Sequence, residues 1–274
     1  MTDAAPARVL VFDSGLGGLT VLTEIARARP EAELVYAADD AFFPYGALSE
    51  AALVDRVGEV VAMLIERFAP DLVVVACNTA STLVLAPLRA AHRGVAFVGT
   101  VPAIKPAASA SRSGLISVLA TPGTVARDYT RALVRDFAGE CEVTLVGSAR
   151  LAEVAERRLR GEAIDEGEIA REIAPCFVWR GDRRTDQIVL ACTHFPLLTD
   201  MFTALAPWPV AFVDPAPAIA RRVDTLLGPP RGIHGPVLLF TILFTSGRPP
   251  TPALRTALHR RGLEAGSHAH ARLT

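Results

Sequence analysis

The chain has 274 residues, room for two domains of ordinary size, and its 51% hydrophobic content is that of a globular protein. A formal net charge of -1 gives no electrostatic hold on nucleic acid or on an anionic membrane. Four cysteines, Cys77, Cys141, Cys176 and Cys192, follow no disulfide or zinc spacing and are expected as free thiols.

In chain order, the first apolar run, residues 9–12, is short and has no basic segment before it, so the sequence predicts no secretory signal and a cytoplasmic protein. It opens a series of β-branched runs at 34–37, 72–76, 96–98, 115–119, 142–146, 187–190 and 210–213. Stretches of helical period lie between them, among them 49–68, with Ser49 placed to cap the first turn, and 149–160. This alternation predicts an α/β protein built on parallel sheets. The run PVLLFTILF, residues 236–244, falls short of the ~20 residues of a membrane span and reads as a buried strand. The last residues, with His268 and His270, read as a frayed end.

The two halves of the chain resemble each other. In the first, one strand ends in Asp13-Ser14-Gly15 and a later one in Ala76-Cys77-Asn78-Thr79; in the second, one ends in Ala120-Thr121-Pro122 and a later one in Ala191-Cys192-Thr193-His194. This pattern predicts two pseudo-symmetric open parallel-sheet domains: residues 8–101 with 210–274, carrying Asp13 and Cys77, and residues 102–209, carrying Thr121 and Cys192. Residues 109–114, SASRSG, read as a hinge. Ligands of open α/β sheets sit at the carboxyl ends of the strands, so one thiol is expected from each side of a shared cleft.

Buried packing is the ordinary use of a cysteine and suffices for Cys141 and Cys176. A matched pair at ligand-bearing strand ends points instead to chemistry. Ser14, Asn78, Thr79, Thr124 and Thr193, with helix-start N–H groups, are donors suited to a small carboxylate. The glycines of DSGLGG do not match a dinucleotide loop, and Asp13 at its entrance would repel phosphate. Cys192-x-His194 lacks the partners a zinc ion needs, and no metal is expected. Two thiols facing one carbon could remove a proton from one side and return one to the other, inverting a stereocentre. Pyridoxal phosphate, the usual electron sink for such a proton, needs a Schiff-base lysine. The single lysine, Lys105, lies between prolines in VPAIKPA, so no cofactor is expected. A dicarboxylate-binding protein and a cysteine hydrolase with one nucleophile remain open readings.

The motifs VFDSGLGGLTV, FPYG, VVACNTAS, VPAIKPA, LATPGTV and LACTHFPLL occur in an order that resembles the glutamate racemases, a cofactor-independent family supplying D-glutamate for peptidoglycan, and the likeness runs from residue 9 to about residue 223. The resemblance implies that Cys77 and Cys192 are the acid–base pair, Cys77 serving D-glutamate and Cys192 L-glutamate. It implies that Asp13 and His194 assist them, and that substrate contacts come from Asp13, Ser14, Tyr45, Gly46, Asn78, Thr79, Thr193 and His194. An assisting glutamate falls on Glu156, with Glu153 close by. The segment GSARLAEVAERRLRGE resembles the form activated by UDP-N-acetylmuramoyl-L-alanine, which places activator contacts at Arg89 and between Gly99 and Lys105. A monomer or homodimer is implied. An aspartate or hydantoin racemase would keep both cysteines and alter the pocket floor.

Overall fold

The computed structural model describes residues 5–230 and 240–263. Two parallel sheets organise it. The first contains β1 (Arg8–Asp13), β2 (Glu33–Ala38), β3 (Leu72–Val75), β4 (Ala96–Gly99) and β11 (Phe240–Phe244), in the order β11-β2-β1-β3-β4. The second contains β5 (Leu115–Ala120), β6 (Glu142–Gly147), β9 (Gln187–Ala191) and β10 (Ala211–Val213), in the order β10-β9-β5-β6. A small antiparallel hairpin, β7 (Trp179–Arg180) with β8 (Arg183–Arg184), stands apart.

Set side by side, β2-β1-β3-β4 and β6-β5-β9-β10 are the same topology, with β11 an added edge on the first sheet. In each, the central strand is flanked by its successor on one side and a later strand on the other, so a crevice opens at the carboxyl ends of β1 and β3, and of β5 and β9. Parallel strands covered on both faces must be apolar throughout, which is why LVVV of β3 and LISVLA of β5 are buried along their whole length.

The covering helices are α1 (Leu19–Ala28), α2 (Glu50–Phe68), α3 (Asn78–Ala91) and α10 (Ala216–Leu227) beside the first sheet. Beside the second lie α4 (Ile104–Ala110), α5 (Pro122–Ala126), α6 (Asp128–Phe137), α7 (Leu151–Leu159), α8 (Glu166–Ile173) and α9 (Thr199–Leu205). The last, α11 (Pro252–His259), packs on α7. Ser49 caps α2 as its sequence suggests, its Oγ accepting from Ala52 N–H at 3.3 Å. The helix stops at Ala69, whose φ of 43° is left-handed, just before Pro70.

Two expectations change. The sequence places the run at 210–213 in the first domain, but β10 pairs with β9 in register Ala211↔Gln187 and so belongs to the second sheet. We therefore place the return crossing at residues 214–215, just before α10 packs on α1. The SASRSG segment is not at a crossing either. Ala103, Ile104 and Ala107 already pack against Ile116, Val118 and Val189 of the second sheet, so the chain has crossed before α4. Asp186 holds the segment: Ser111 Oγ donates to it at 2.7 Å, and the N–H groups of Arg112 and Ser113 donate at 2.7 and 3.0 Å. The strand expected at 236–244 is present as β11 over its described part, while His268 and His270 lie outside the described residues.

Candidate active site

Asp13 ends β1, Cys77 follows β3 at the start of α3, Thr121 follows β5, and Cys192 follows β9. The two sulfur-bearing residues are 5% and 7% exposed and occupy corresponding places in the two sheets. The Cys192 sulfur acts on Cys77 through its charge. Burial and the neighbouring Asp13 carboxylate push the Cys77 thiol up to about 12, against the opposing pull of the Ala80 N–H and Ser14. At neutral pH Cys77 is therefore held as the thiol.

Around Cys192 the groups form a chain. His194 Nδ1 lies 3.8 Å from Cys192 Sγ, and its Nε2 lies 3.0 Å from Glu156 Oε1. That same nitrogen is 3.2 Å from the Gly17 N–H, and a ring nitrogen cannot donate to one neighbour and accept from the other at once. The carboxylate decides for Nε2–H. Burial works against a charge on His194, but its bonds to Cys192 and Glu156 outweigh burial and hold the ring well above the ordinary imidazole value. Burial likewise opposes charge on Glu156. The hydrogen bond and charge of His194, with Leu16 N–H and Arg160, outweigh it and keep the carboxyl below its usual range. Leu16 N–H donates to Glu156 Oε1 at 2.5 Å and Arg160 to Oε2 at 3.0 Å. Glu153, the alternative by sequence, is exposed, one helical turn before the buried Glu156.

The DSGLGG loop owes its glycines to this approach. A Cβ on Gly17 would stand 2.5 Å from both His194 Nδ1 and Thr193 Oγ1, and one on Gly15 would collide with Glu156 Oε1. Gly18 N–H donates to Asp13 Oδ2 at 3.0 Å, and Thr193 Oγ1 reaches Asp13 Oδ1 at 3.3 Å from the other half of the molecule. Burial raises the Asp13 carboxyl, while the charge of His194 and the Gly18 N–H oppose it.

Thr79, Thr121 and Thr124 join hydroxyls across the cleft at 3.0–3.4 Å. Asn78 is 3% exposed, yet neither end of its amide has a hydrogen-bond partner among the described residues, a cost that a polar ligand would relieve. Tyr45 and Gly46 border a cavity of about 510 Å³ that also includes Thr79 from the first half and Gly123 from the second. Ser14 is buried beside Asp13 and Cys77.

Some contributors escaped the sequence reading. Asp39, fully buried, receives the Tyr45 hydroxyl at 2.7 Å, Thr245 Oγ1 at 2.6 Å and two bonds from Arg56, and so fixes FPYG. It follows β2 as Asp13 ends β1, and that shared strand-end position was its signal. Tyr36 supports the glycine loop by donating to Gly15 O at 2.6 Å. The structure does not gather the positions expected for an activator into one place. Gly99 and Lys105 line a cavity of about 450 Å³ with both domain crossings, and neither Cys77 nor Cys192 borders it. Arg89 does not line it and instead donates to Phe97 O at 3.0 Å. Among the described residues no three His, Cys, Asp or Glu side chains group as a metal site requires, and no helix is long and apolar enough to cross a membrane.

Comparison with known proteins agrees with this geometry. The Asp/Glu/Hydantoin racemase family model matches residues 13–223. The glutamate racemase of Brucella anthropi is 53% identical over 255 residues, covering 93% of this chain and 92% of that one. That of Rhizobium meliloti is 53% identical over 249 residues, covering 91% and 90%. The crystal structure of Escherichia coli glutamate racemase in complex with L-glutamate and the activator UDP-MurNAc-Ala superimposes with a TM-score of 0.84 at 40% identity, covering 94% of this chain and 96% of that one. The Bacillus anthracis RacE1 isoform gives 0.76 at 26% identity, covering 96% and 97%. The chain belongs to the Asp/Glu/Hydantoin racemase family and, within it, to the glutamate racemases, which makes it an isomerase.

Proposed function

We propose that the enzyme interconverts L- and D-glutamate by a two-base mechanism without a cofactor, one cysteine serving each face of the α-carbon. The observation that carries this reading is the placement of Cys77 and Cys192 at equivalent strand ends of two matching sheets. With L-glutamate bound, the Cys192 thiolate takes the α-proton, and the electron pair left on carbon is held by the adjacent carboxylate. Cys77 then delivers its thiol proton to the opposite face, giving D-glutamate and leaving the two sulfurs with exchanged protonation states. The reverse reaction begins from that exchanged state. Positioned acid–base groups of this kind contribute roughly 10²- to 10⁴-fold each.

The neighbours have matching tasks. A protonated His194, 3.8 Å from Cys192 Sγ, is the counter-charge for a sulfur anion, and Glu156 holds it in that state. Asp13 plays the corresponding part beside Cys77. Hydroxyls and N–H groups of Ser14, Asn78, Thr79, Thr124 and Thr193, with the Tyr45-Gly46 backbone, receive the two substrate carboxylates. The unpartnered Asn78 amide favours this over an empty polar floor. Lys105 is exposed on α4, its Nζ 5.6 Å from the Phe137 ring centre, and borders a cavity that neither thiol lines. This setting does not suit a Schiff base.

The product serves cytoplasmic peptidoglycan synthesis. The Escherichia coli enzyme was crystallised with UDP-MurNAc-Ala, and the cavity around Gly99 and Lys105 is where the same activator would act here, between the two crossings. The test is incubation of the purified protein with L-glutamate in D2O without added cofactor. Loss of optical rotation together with deuterium at the α-carbon supports the reading. Racemisation that needs pyridoxal phosphate, or equal turnover of aspartate, contradicts it.

A further inference from the structure

The mouth of the cleft carries a charge that proton transfer does not require. Arg127 sits at the junction of α5 and α6 in the second half and borders the cavity shared by Tyr45, Gly46 and Thr79; among its described lining residues Arg127 alone is basic. Its Nε donates to Gly123 O at 3.3 Å, and its Nη1 donates to the Thr82 hydroxyl on α3, in the other half. It forms no ion pair among the described residues. Glu50, at the start of α2, and the Cys77 sulfur both act on it through space.

A half-buried guanidinium without a carboxylate partner is costly to keep, and arginine cannot shed its charge. Inside the cleft lie Asp13, Glu156 and two sulfurs, against the His194 ring and Arg160, both of which are engaged by Glu156, so the interior by itself has no cation left over for an anion. Glutamate nevertheless brings two carboxylates and one ammonium. Glu50 and Asp128 also line the entrance cavity, so Arg127 is the one group there that can oppose this mismatch, acting through a medium where a charge pair counts for more than in bulk water.

We propose that Arg127 is a specificity-determining cation at the entrance, which selects a dicarboxylate amino acid through its charge and takes no part in proton transfer. This rests on the glutamate racemase reading and adds the origin of its preference for a dicarboxylate substrate. Because enantiomers have equal free energy, kcat/KM must change equally in both directions, which gives an internal check on every variant.

The test compares Arg127→Gln and Arg127→Lys with the parent enzyme, using L- and D-glutamate at several ionic strengths and recording unfolding temperatures. Arg127→Gln should raise KM about tenfold or more for both enantiomers, the size expected for a lost charge-assisted contact, while kcat stays within about threefold. Arg127→Lys keeps the charge and should hold KM within about threefold of the parent. The parent's kcat/KM should fall with added salt, and that dependence should flatten in Arg127→Gln. An unchanged KM in Arg127→Gln overturns the proposal. So does equal impairment of the lysine variant, which would assign the role to the bridge with Thr82, or a matching fall in unfolding temperature in both variants. A parent enzyme that does not racemise glutamate overturns the underlying reading instead.

Discussion

Cys77 and Cys192 hold equivalent places but have different neighbours. Beside Cys77 is a buried carboxylate; beside Cys192 is an imidazole secured by Glu156. The Glu156–His194 pair leaves a mark on stability as a function of pH. Glu156 has its folded value depressed, so its contribution is present above the ordinary carboxylate range and lost as pH falls through that lower value. His194 has its folded value raised, so its contribution is complete below about 6.5 and lost as pH climbs through the higher value. The pair therefore stabilises most between about pH 4.5 and 6.5. Glu156→Gln should cost about 3 kcal/mol near pH 6, as for a broken buried pair, and less toward pH 3 and pH 10. Thermal unfolding at the three values checks this, and a pH-independent loss contradicts it. Racemisation by the same variant should drop about 100-fold.

The loop between β1 and α1 shows how a short element carries the site. Its glycines are legible in the sequence as something other than a nucleotide cradle, but what they accommodate is supplied by the other half of the molecule, 140 and 177 residues away along the chain. Periodicity within one segment cannot report that. Gly17 needs space rather than an unusual backbone angle, since only Gly114, Gly161, Gly181, Gly228, Gly247 and Gly262 have positive φ among the described glycines. Gly17→Ala would drive Thr193 and His194 off position by about an ångström, and a shift of that size costs roughly 100-fold in turnover. The variant should remain folded, as seen by an unfolding temperature within a few degrees of the parent. Retained turnover would show that the loop can retreat. FPYG was similarly readable as a motif, while the Asp39 and Arg56 bonds that fix it were not, because they join β2, α2 and the end of β11.

At the scale of the whole molecule, the internal resemblance of the two halves is the feature the sequence revealed best, since each polar strand end is a local pattern and the sheets repeat it. The crossing points were harder to read. β10 is three residues long and mostly half-exposed, and nothing in AFV says which sheet it joins. Both crossings border the Gly99–Lys105 cavity, the place proposed for the activator. Added UDP-N-acetylmuramoyl-L-alanine should raise the rate of L-glutamate racemisation, measured by optical rotation, and an unchanged rate at saturating activator contradicts that role. The central claim is that each half contributes the base for one face. Its most direct measurement uses a glutamate analogue with chloride on the β-carbon, from which removal of the α-proton expels chloride and no proton need return to the opposite face. Cys77→Ser should release chloride from the L-enantiomer and not the D-enantiomer, Cys192→Ser should do the reverse, and neither should racemise glutamate. If both variants prefer the same enantiomer, or either racemises glutamate near the parent rate, the assignment of one thiol to each face is wrong.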